Sequence, residues 1–417
     1  MNLGNNLGIN CLRLAASAPT ADVALRHIPI YGQSLSIGSV GANPGTAAVI
    51  SAASTKDYMF SAGVRAHLDQ LAPASNENSP IDPAGLQSIV ALAEVVSTFD
   101  GNYGETVASG IGANTTGRCL FSATGRGAYE IAELSRDAGG IITDQNHWIN
   151  THAAILYGRR AAEDNGWTYE IPCFLWMQGS ADATALTTRA DYEAAELSLR
   201  NDWRAMASAA GQIDASAVPM VTEQPAYRSD PQNTGTGATA TGYGSIAVAK
   251  INNHRAGVTV CAGPRYPYEF VNSGDLHMTS QGYRDFGAGP LAKAIQTIRD
   301  GGTWHPTHIN GAPTRSGTTI TVPVYVPTPP LAFDTSLGFG LADRGFDYSG
   351  ANITAVTITD DGSGDNAGEI TITIDAAAGG VLRCGYENAA TTSNNEVGTE
   401  IRDSNDNWLC TDEWSVT

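Results

Sequence analysis

Residues 27–38 read HIPIYGQSLSIG, an apolar run that ends at a glycine and passes directly into Gln33 and Ser34. A short apolar run of this kind predicts a β-strand with both faces buried, and the glycine predicts a sharp turn at its end. Four more apolar runs follow, each ending in a polar or glycine-rich turn: residues 118–124, 170–179, 217–224 and 257–263. The sequence therefore predicts a set of buried strands with polar residues at their ends.

Helical patterns separate these strands. Residues 144–165 and 189–210 carry apolar side chains three or four positions apart, which is the spacing of one helix face. Strands that alternate with such helices predict a parallel sheet covered on both faces, in which ligands bind at the carboxyl ends of the strands. We expect a three-layer α/β domain of flavodoxin-like build over residues 26–300, after an N-terminal extension at residues 1–25.

A long irregular stretch interrupts this pattern at residues 39–116, with one helical pattern at residues 83–98. Loops of this length inside a compact domain are usually functional, so we expect the stretch to cover the site.

Composition changes near Asp300. Residues 301–317 have the composition of a linker, and alternating runs follow at residues 318–326, 352–360, 368–375 and 379–387. Glycine, aspartate and asparagine fill residues 360–368, which predicts a hairpin turn. The pattern predicts an antiparallel β-sandwich over residues 305–417. We expect this domain to support the fold or contact a glycan, and to supply no catalytic group.

The charge balance limits the partners. The 417 residues include 42 Asp and Glu against 23 Lys and Arg, a net charge of -19, which disfavours nucleic acid and anionic membranes. No apolar run approaches the ~20 residues of a membrane-spanning helix. The first residues lack the basic start and apolar stretch of a signal peptide. The low charged fraction, 16%, still favours a secreted, periplasmic or phage-particle protein. Oligomeric state stays open.

Six cysteines are present, without any CxxC pair, and their spacing suits no zinc site. Cys384 and Cys410 share the last segment and could pair in an oxidising compartment. We expect no metal and no cofactor.

Four segments carry residues suited to catalysis, and each follows a predicted strand: GQSLSIG (32–38), SATGRGAYEI (122–131), WMQGSAD (176–182) and GDLHMTSQGY (274–283). A serine hydroxyl needs a base to become a nucleophile, and a histidine serves at neutral pH. Ser34 and His277 are the candidates. Asp275, two residues before His277, is placed to orient the imidazole.

Taken in order, these four segments resemble the four sequence blocks of the SGNH hydrolases, particularly the carbohydrate acetylesterase branch related to sialate O-acetylesterases. The resemblance covers residues 27 to about 295. It implies a serine esterase that removes acetyl groups from a carbohydrate, with an acetylated glycan as its partner. A non-catalytic glycan-binding or phage tail-type module on the same scaffold remains an alternative, as does a lipase or thioesterase.

The resemblance also implies an oxyanion hole made by the backbone N–H groups of Ser34 and Gly127 and the side-chain amide of Gln178. Gly127 fits the family pattern better than Gly125. Other residues of the same segments are expected to line the substrate pocket: Gln33, Trp176 and Asp182. For Trp176, the hydrophobic core is the alternative.

Three positions depart from the family pattern. Ser180 stands where the family has a glutamate, and Ala128 stands where it has the second glycine of a pair. Only one residue separates Asp275 from His277, where many members have two. With this spacing, another acceptor is an alternative to Asp275 as the partner of His277.

Overall fold

A computed structural model describes residues 23–39, 54–65, 83–94, 103–136, 146–212, 214–226, 240–271, 276–337, 342–386 and 398–417. The first part of the chain forms the strands β1 (Ala24–Gly32), β2 (Tyr58–Phe60), β3 (Ile89–Ala91), β4 (Arg118–Ala123), β5 (Thr168–Glu170), β6 (Phe174–Met177), β7 (Met220–Gln224) and β8 (Val260–Pro264). Its helices are α1 (Ala108–Asn114), α2 (Ile131–Leu134), α3 (Asn146–Asp164), α4 (Ser180–Ala185), α5 (Arg189–Ala209), α6 (Ala240–Arg255), α7 (Ser280–Phe286) and α8 (Ala292–Arg299).

The strands form one sheet in the order β3-β2-β4-β1-β6-β7-β8, with β5 also paired to β1. All pairs are parallel except β2 with the edge strand β3. The chain builds outward from β1 in both directions, first through β2 and β4 and then through β6. The carboxyl end of β1 is therefore a topological switch point, where α/β sheets bind ligands.

Helices cover both faces of the sheet, as the alternation along β6 shows. Phe174 and Trp176 pack into one core with Trp203 of α5, whereas Leu175 and Met177 pack into the other with α8. This confirms the predicted three-layer α/β domain, including all five apolar runs as strands.

The helix predicted at residues 83–98 is wrong. A single 3-10 turn, Pro83–Leu86, is followed by β3. Ile89 and Val90 are β-branched, and they pair with the exposed edge that β2 offers. Tertiary pairing therefore overrides the helical spacing here.

The C-terminal part is built from β9 (His308–Ile309), β10 (Thr314–Ser316), β11 (Thr319–Tyr325), β12 (Ala332–Phe333), β13 (Phe346–Tyr348), β14 (Ile353–Asp361), β15 (Ala367–Ile374), β16 (Gly380–Cys384), β17 (Ile401–Arg402) and β18 (Asp412–Val416). The sheet β10-β11-β15-β14 and the sheet β13-β16-β18 are antiparallel and share one apolar core. A tight turn joins β14 to β15 where the hairpin is predicted. The antiparallel β-sandwich is thus confirmed.

Residues 301–317 are not a free linker. Trp304 is buried in a core of the first domain, and its indole N–H donates to the Ala262 carbonyl at 3.2 Å. The segment also contributes β9 and β10 to the sandwich. The burial of this tryptophan depends on residues distant in the sequence, so the local composition of the segment does not predict it.

The two domains are joined by buried hydrogen bonds. The amide of Gln224, at the end of β7, donates to the Thr411 carbonyl at 2.9 Å and accepts from the Thr411 N–H at 2.8 Å. The Tyr266 hydroxyl donates to the Leu409 carbonyl at 2.8 Å. These bonds fix the sandwich against the carboxyl side of the sheet.

Cys384 and Cys410 are separate buried thiols, and the Cys384 thiol donates to the Cys410 carbonyl at 3.3 Å. The possible disulfide between them is therefore absent. Within the described ranges, no helix is long and apolar enough to cross a bilayer.

Candidate active site

Ser34 stands just beyond the carboxyl end of β1, the central strand. β1 ends at Gly32, whose φ is 145° and whose missing Cβ would lie 2.1 Å from the Met177 carbonyl oxygen. Only glycine fits this turn, which leads through Gln33 into the 3-10 turn Ser34–Ile37. The turn presents Ser34 at the switch point of the sheet.

His277 reaches the same point from the segment before α7. Its Nε2 lies 2.9 Å from the Ser34 Oγ. The backbone around it is held by the hydrogen bond from the Val271 N–H to the His277 carbonyl, at 3.0 Å. At this distance the hydroxyl can donate to the imidazole, which is the arrangement that activates a serine nucleophile. The structure thus brings together two residues that are far apart in the sequence.

Asp275 lies outside the described residues, and its orienting role stays a prediction.

Arg265 supports the segment that carries His277. Its Nη1 donates to the Leu276 carbonyl at 3.4 Å, and its Nη2 donates to the Ser180 Oγ at 3.2 Å. The guanidinium is buried and forms an ion pair with the buried Glu223, at 2.9 Å between Nε and Oε2. Arg265 therefore links the backbone beside His277 to Ser180, the residue that stands where the family pattern has a glutamate.

Ser34 and His277 open into a cavity of about 820 Å³. Its lining comes entirely from the first domain in the described part of the chain: Gln33, Ser34, Ser39, Tyr103, Gly127, Ala128, Glu130, Ser180, Ala181, Thr184, Ala185, Leu276 and His277. The volume is within the range typical of small-molecule sites, ~300–1,000 Å³. Ser39 and Tyr103 come from the irregular stretch that is expected to cover the site.

Gln33 and Gly127 line the cavity as expected. The Gln33 Oε1 accepts from the Ala181 N–H at 3.1 Å, which ties the serine turn to the start of α4. Gly125, by contrast, is packed under the serine turn, because a Cβ there would lie 1.9 Å from the Ser36 Oγ. Ala128 has a φ of 61°, a left-handed conformation that favours glycine, and this agrees with the glycine of the family pattern.

Gln178 does not line the cavity, and this corrects its expected place in the oxyanion hole. The side chain is fully buried. Its Nε2 donates to the Tyr129 carbonyl at 3.1 Å and to the Asp182 carboxylate, and its Oε1 accepts from the Tyr192 hydroxyl at 2.8 Å. Both amide hydrogens are in use, so the side chain has no donor left for an oxyanion.

Asp182 and Trp176 also lie away from the cavity lining, which corrects their expected role in the pocket. The Asp182 carboxylate accepts from the Ile131 N–H at 2.8 Å and the Thr187 hydroxyl at 3.0 Å, and burial raises its pKa. Trp176 is a core residue, stacked at 5.8 Å on Tyr31. Asp182 and Gln178 instead hold the segment that carries Gly127 and Glu130.

Sequence reasoning missed Glu130, Tyr103 and Thr184. Glu130 lies in a quoted segment but has no partner there that marks it as a site residue. Tyr103 and Thr184 come from a loop and from the end of a short helix. Only the folded arrangement groups them around Ser34.

No protein-family model matches this sequence, and no curated protein matches it either. Among solved structures, a carbohydrate acetylesterase from Xanthomonas citri matches 93% of this chain and 80% of its own, with a TM-score of 0.57 and 15% identity. A protein from Arabidopsis thaliana matches 65% of this chain and 98% of its own, with a TM-score of 0.40 and 14% identity. NanS matches 68% of this chain and 99% of its own, with a TM-score of 0.39 and 12% identity. The first likeness spans both domains, and at this identity it shows the fold alone: the chain shares the α/β domain and the β-sandwich of that structure.

Proposed function

We propose that this protein is a serine esterase that removes O-acetyl groups from a carbohydrate. The observation that carries the proposal is the 2.9 Å contact between the Ser34 Oγ and the His277 Nε2, at the mouth of a cavity on the switch point of the sheet. A carbohydrate acetylesterase with the same overall fold supports the choice of substrate class.

The reaction proceeds in two steps. The Ser34 Oγ attacks the acetyl carbonyl while its proton passes to the His277 Nε2, and the sugar oxygen then leaves with that proton. Water next attacks the acetyl-serine, with His277 as base, and acetate leaves. Asp275 is the proposed orienting group for His277.

The oxyanion of each tetrahedral intermediate needs backbone donors, because Gln178 is engaged elsewhere. We assign this role to the N–H groups of Ser34 and Gly127. In the described part of the chain no hydrogen bond occupies the Ser34 N–H. Gly127 lies in the cavity wall.

Hydrolysis of an aryl acetate tests this proposal. Ser34→Ala should lower kcat by at least about 1,000-fold, because it removes the nucleophile. Ser363→Ala, an exposed serine in the β14–β15 turn, is the matched control and should behave as wild type. Acetate release from acetylated xylan, measured beside a series of longer acyl esters, then tests the substrate class.

Two results would overturn the proposal. Turnover that survives in Ser34→Ala would exclude the serine mechanism. Wild-type protein that binds acetylated glycan without releasing acetate would favour the non-catalytic alternative, and a preference for long acyl chains would favour a lipase or thioesterase.

A further inference from the structure

We propose that the active site selects neutral acetylated sugars and discriminates against anionic ones, such as sialic acids and uronic acids. This inference rests on the proposed esterase function and concerns the substrate class of the same cavity. It is carried by the charges and polar groups of the cavity wall.

No lysine or arginine lines the cavity in the described part of the chain. The sequence has only 23 such residues, and the segments outside the described ranges contain just Arg13 and Arg228. A sugar carboxylate that enters this cavity would lose hydration without gaining a counter-ion from the described residues of the wall.

Two arginines of the segments around the site contact other groups. Arg265 is fully buried in its ion pair with Glu223. The Arg126 guanidinium lies over the Tyr129 ring, 4.3 Å from its centroid. Neither side chain lines the cavity.

Glu130 places a carboxylate in the wall itself. It stands at the start of α2 in a reciprocal capping arrangement: its side chain accepts from the Glu133 N–H, and the Glu133 carboxylate accepts from the Glu130 N–H at 2.8 Å. These bonds hold Glu130 at the edge of the cavity. Burial, with Asp182 and Glu133 nearby, raises its pKa, and the assays below are therefore set at pH 8, well above the ordinary value of 4.5. An anionic sugar would meet a fixed negative charge on a chain whose net charge is already -19.

The remaining polar groups suit sugar hydroxyls. Ser39, Ser180 and Thr184 place hydroxyl groups in the wall. The Ser180 Oγ accepts from Arg265 and can still donate, and the Thr184 hydroxyl donates to the Ser180 carbonyl at 3.0 Å and can still accept. Tyr103, half-buried in the wall, offers an aromatic ring to the apolar face of a pyranose. These hydroxyls and the aromatic ring match a neutral pyranose.

Three matched substrates test the inference: an acetylated methyl glucoside, the corresponding glucuronamide and the corresponding glucuronate, with the acetyl group at the same position. At pH 8 and low salt, kcat/KM for the glucoside and the glucuronamide should agree within about 3-fold, since both are neutral. The glucuronate should be at least about 10-fold slower. Raising NaCl from about 20 mM to about 500 mM should narrow this gap, because salt screens the repulsion.

Glu130→Gln should reduce the ratio of kcat/KM for the glucuronamide to kcat/KM for the glucuronate by about 3-fold or more. Glutamine keeps an oxygen that can accept from the Glu133 N–H, so the start of α2 is retained. Glu163→Gln, which removes an exposed carboxylate of α3, is the control and should leave the gap unchanged. A circular dichroism spectrum and melting curve for each variant check the fold.

The outcomes separate this inference from the proposed function. If the wild-type protein hydrolyses aryl acetate but prefers the glucuronate, the substrate class is wrong and the esterase proposal stands. If no acetate ester is hydrolysed, the proposed function itself fails. If neither salt nor Glu130→Gln changes the kcat/KM ratio between glucuronamide and glucuronate, electrostatic repulsion is not the cause of the selection.

Discussion

Arg265 holds the segment of the candidate base His277 without contacting its side chain. Its planar guanidinium donates in two directions and pairs with Glu223 in a third. A lysine could keep the charge pair with Glu223, but its single ammonium cannot reproduce this fork.

Arg265→Lys is therefore expected to lower kcat for aryl acetate by about 10-fold or more, with a smaller change in KM, because the position of His277 matters most in the transition state. Steady-state kinetics measure both parameters. Arg160→Lys, on the exposed side of α3, is the matched control. Wild-type kinetics in Arg265→Lys would show that the Leu276 carbonyl needs no such donor.

The sequence could predict Ser34 and His277, because a nucleophile and a base of these types, each after a strand, have a chemical reason to meet. It could not predict the place of Gln178. The sequence does not distinguish a glutamine whose amide faces the substrate from one whose amide is buried in the core. The difference arises from Tyr129 and Tyr192, which take up its polar atoms.

At the scale of secondary-structure elements, Asp182 connects two short helices. It lies in the first turn of α4, and its carboxylate accepts from the N–H of Ile131, the first residue of α2. The Gln178 amide adds a bond to the Tyr129 carbonyl just before α2. The cavity wall around Glu130 is thus held from behind by buried polar groups.

We expect Asp182→Asn to lower the free energy of unfolding by about 2 kcal/mol, because an asparagine has one acceptor oxygen where three donors converge. If its oxygen takes the place of Oδ2, which accepts from Ile131 and Gln178, its amide hydrogens face the Thr187 hydroxyl that donates to Oδ1 in the wild type. Urea unfolding measures the loss, and kcat should fall with it as the wall loosens. Asp164→Asn, at the exposed end of α3, serves as control. Equal stability of Asp182→Asn and wild type would contradict this account.

Element positions were predictable where burial follows the local pattern. The helical pattern at residues 189–210 is α5, Arg189–Ala209, almost residue for residue. The pattern at residues 83–98 fails because the segment joins a sheet edge, and the linker prediction at residues 301–317 fails because Trp304 enters a distant core. Both failures come from contacts between segments far apart in the chain.

At the scale of the whole molecule, three histidines meet near the junction of the domains. His254 Nε2 lies 3.1 Å from His305 Nδ1, and His308 packs against both rings. With Arg255, Asn310 and Tyr325 they line a second cavity of about 420 Å³. Burial lowers the pKa of His254 to about 3 and that of His308 to about 4, and the neighbouring histidines and Arg255 add to this. Burial also lowers the pKa of His305.

These shifts predict an acid-sensitive molecule. The folded state holds the histidines uncharged, whereas the unfolded chain protonates them below the ordinary pKa of 6.5. The contribution of His254 and His308 to stability is therefore complete above pH 6.5 and declines as the pH falls toward 4, by about 1.4 kcal/mol per pH unit for each of these two. Urea unfolding at several pH values measures the slope.

His254→Gln should reduce the pH dependence of the free energy of unfolding by the contribution of one proton, because glutamine does not titrate. His152→Gln, on a partly exposed part of α3, is the control and should leave the slope as it is. Identical slopes in His254→Gln and wild type would mean that the cluster is protonated in the folded state too.

The junction of the domains also has a consequence for how the protein is made. The Gln224 amide is buried in the first domain, yet two of its hydrogen bonds depend on Thr411. During translation, β7 and the rest of the α/β sheet leave the ribosome long before Thr411 is added. Until then the Gln224 amide lacks Thr411 as a partner and the Tyr266 hydroxyl lacks the Leu409 carbonyl. A premature stop codon shortly before position 411 would therefore destabilise the α/β domain as well as the sandwich, although every described residue of the cavity wall had already been synthesised.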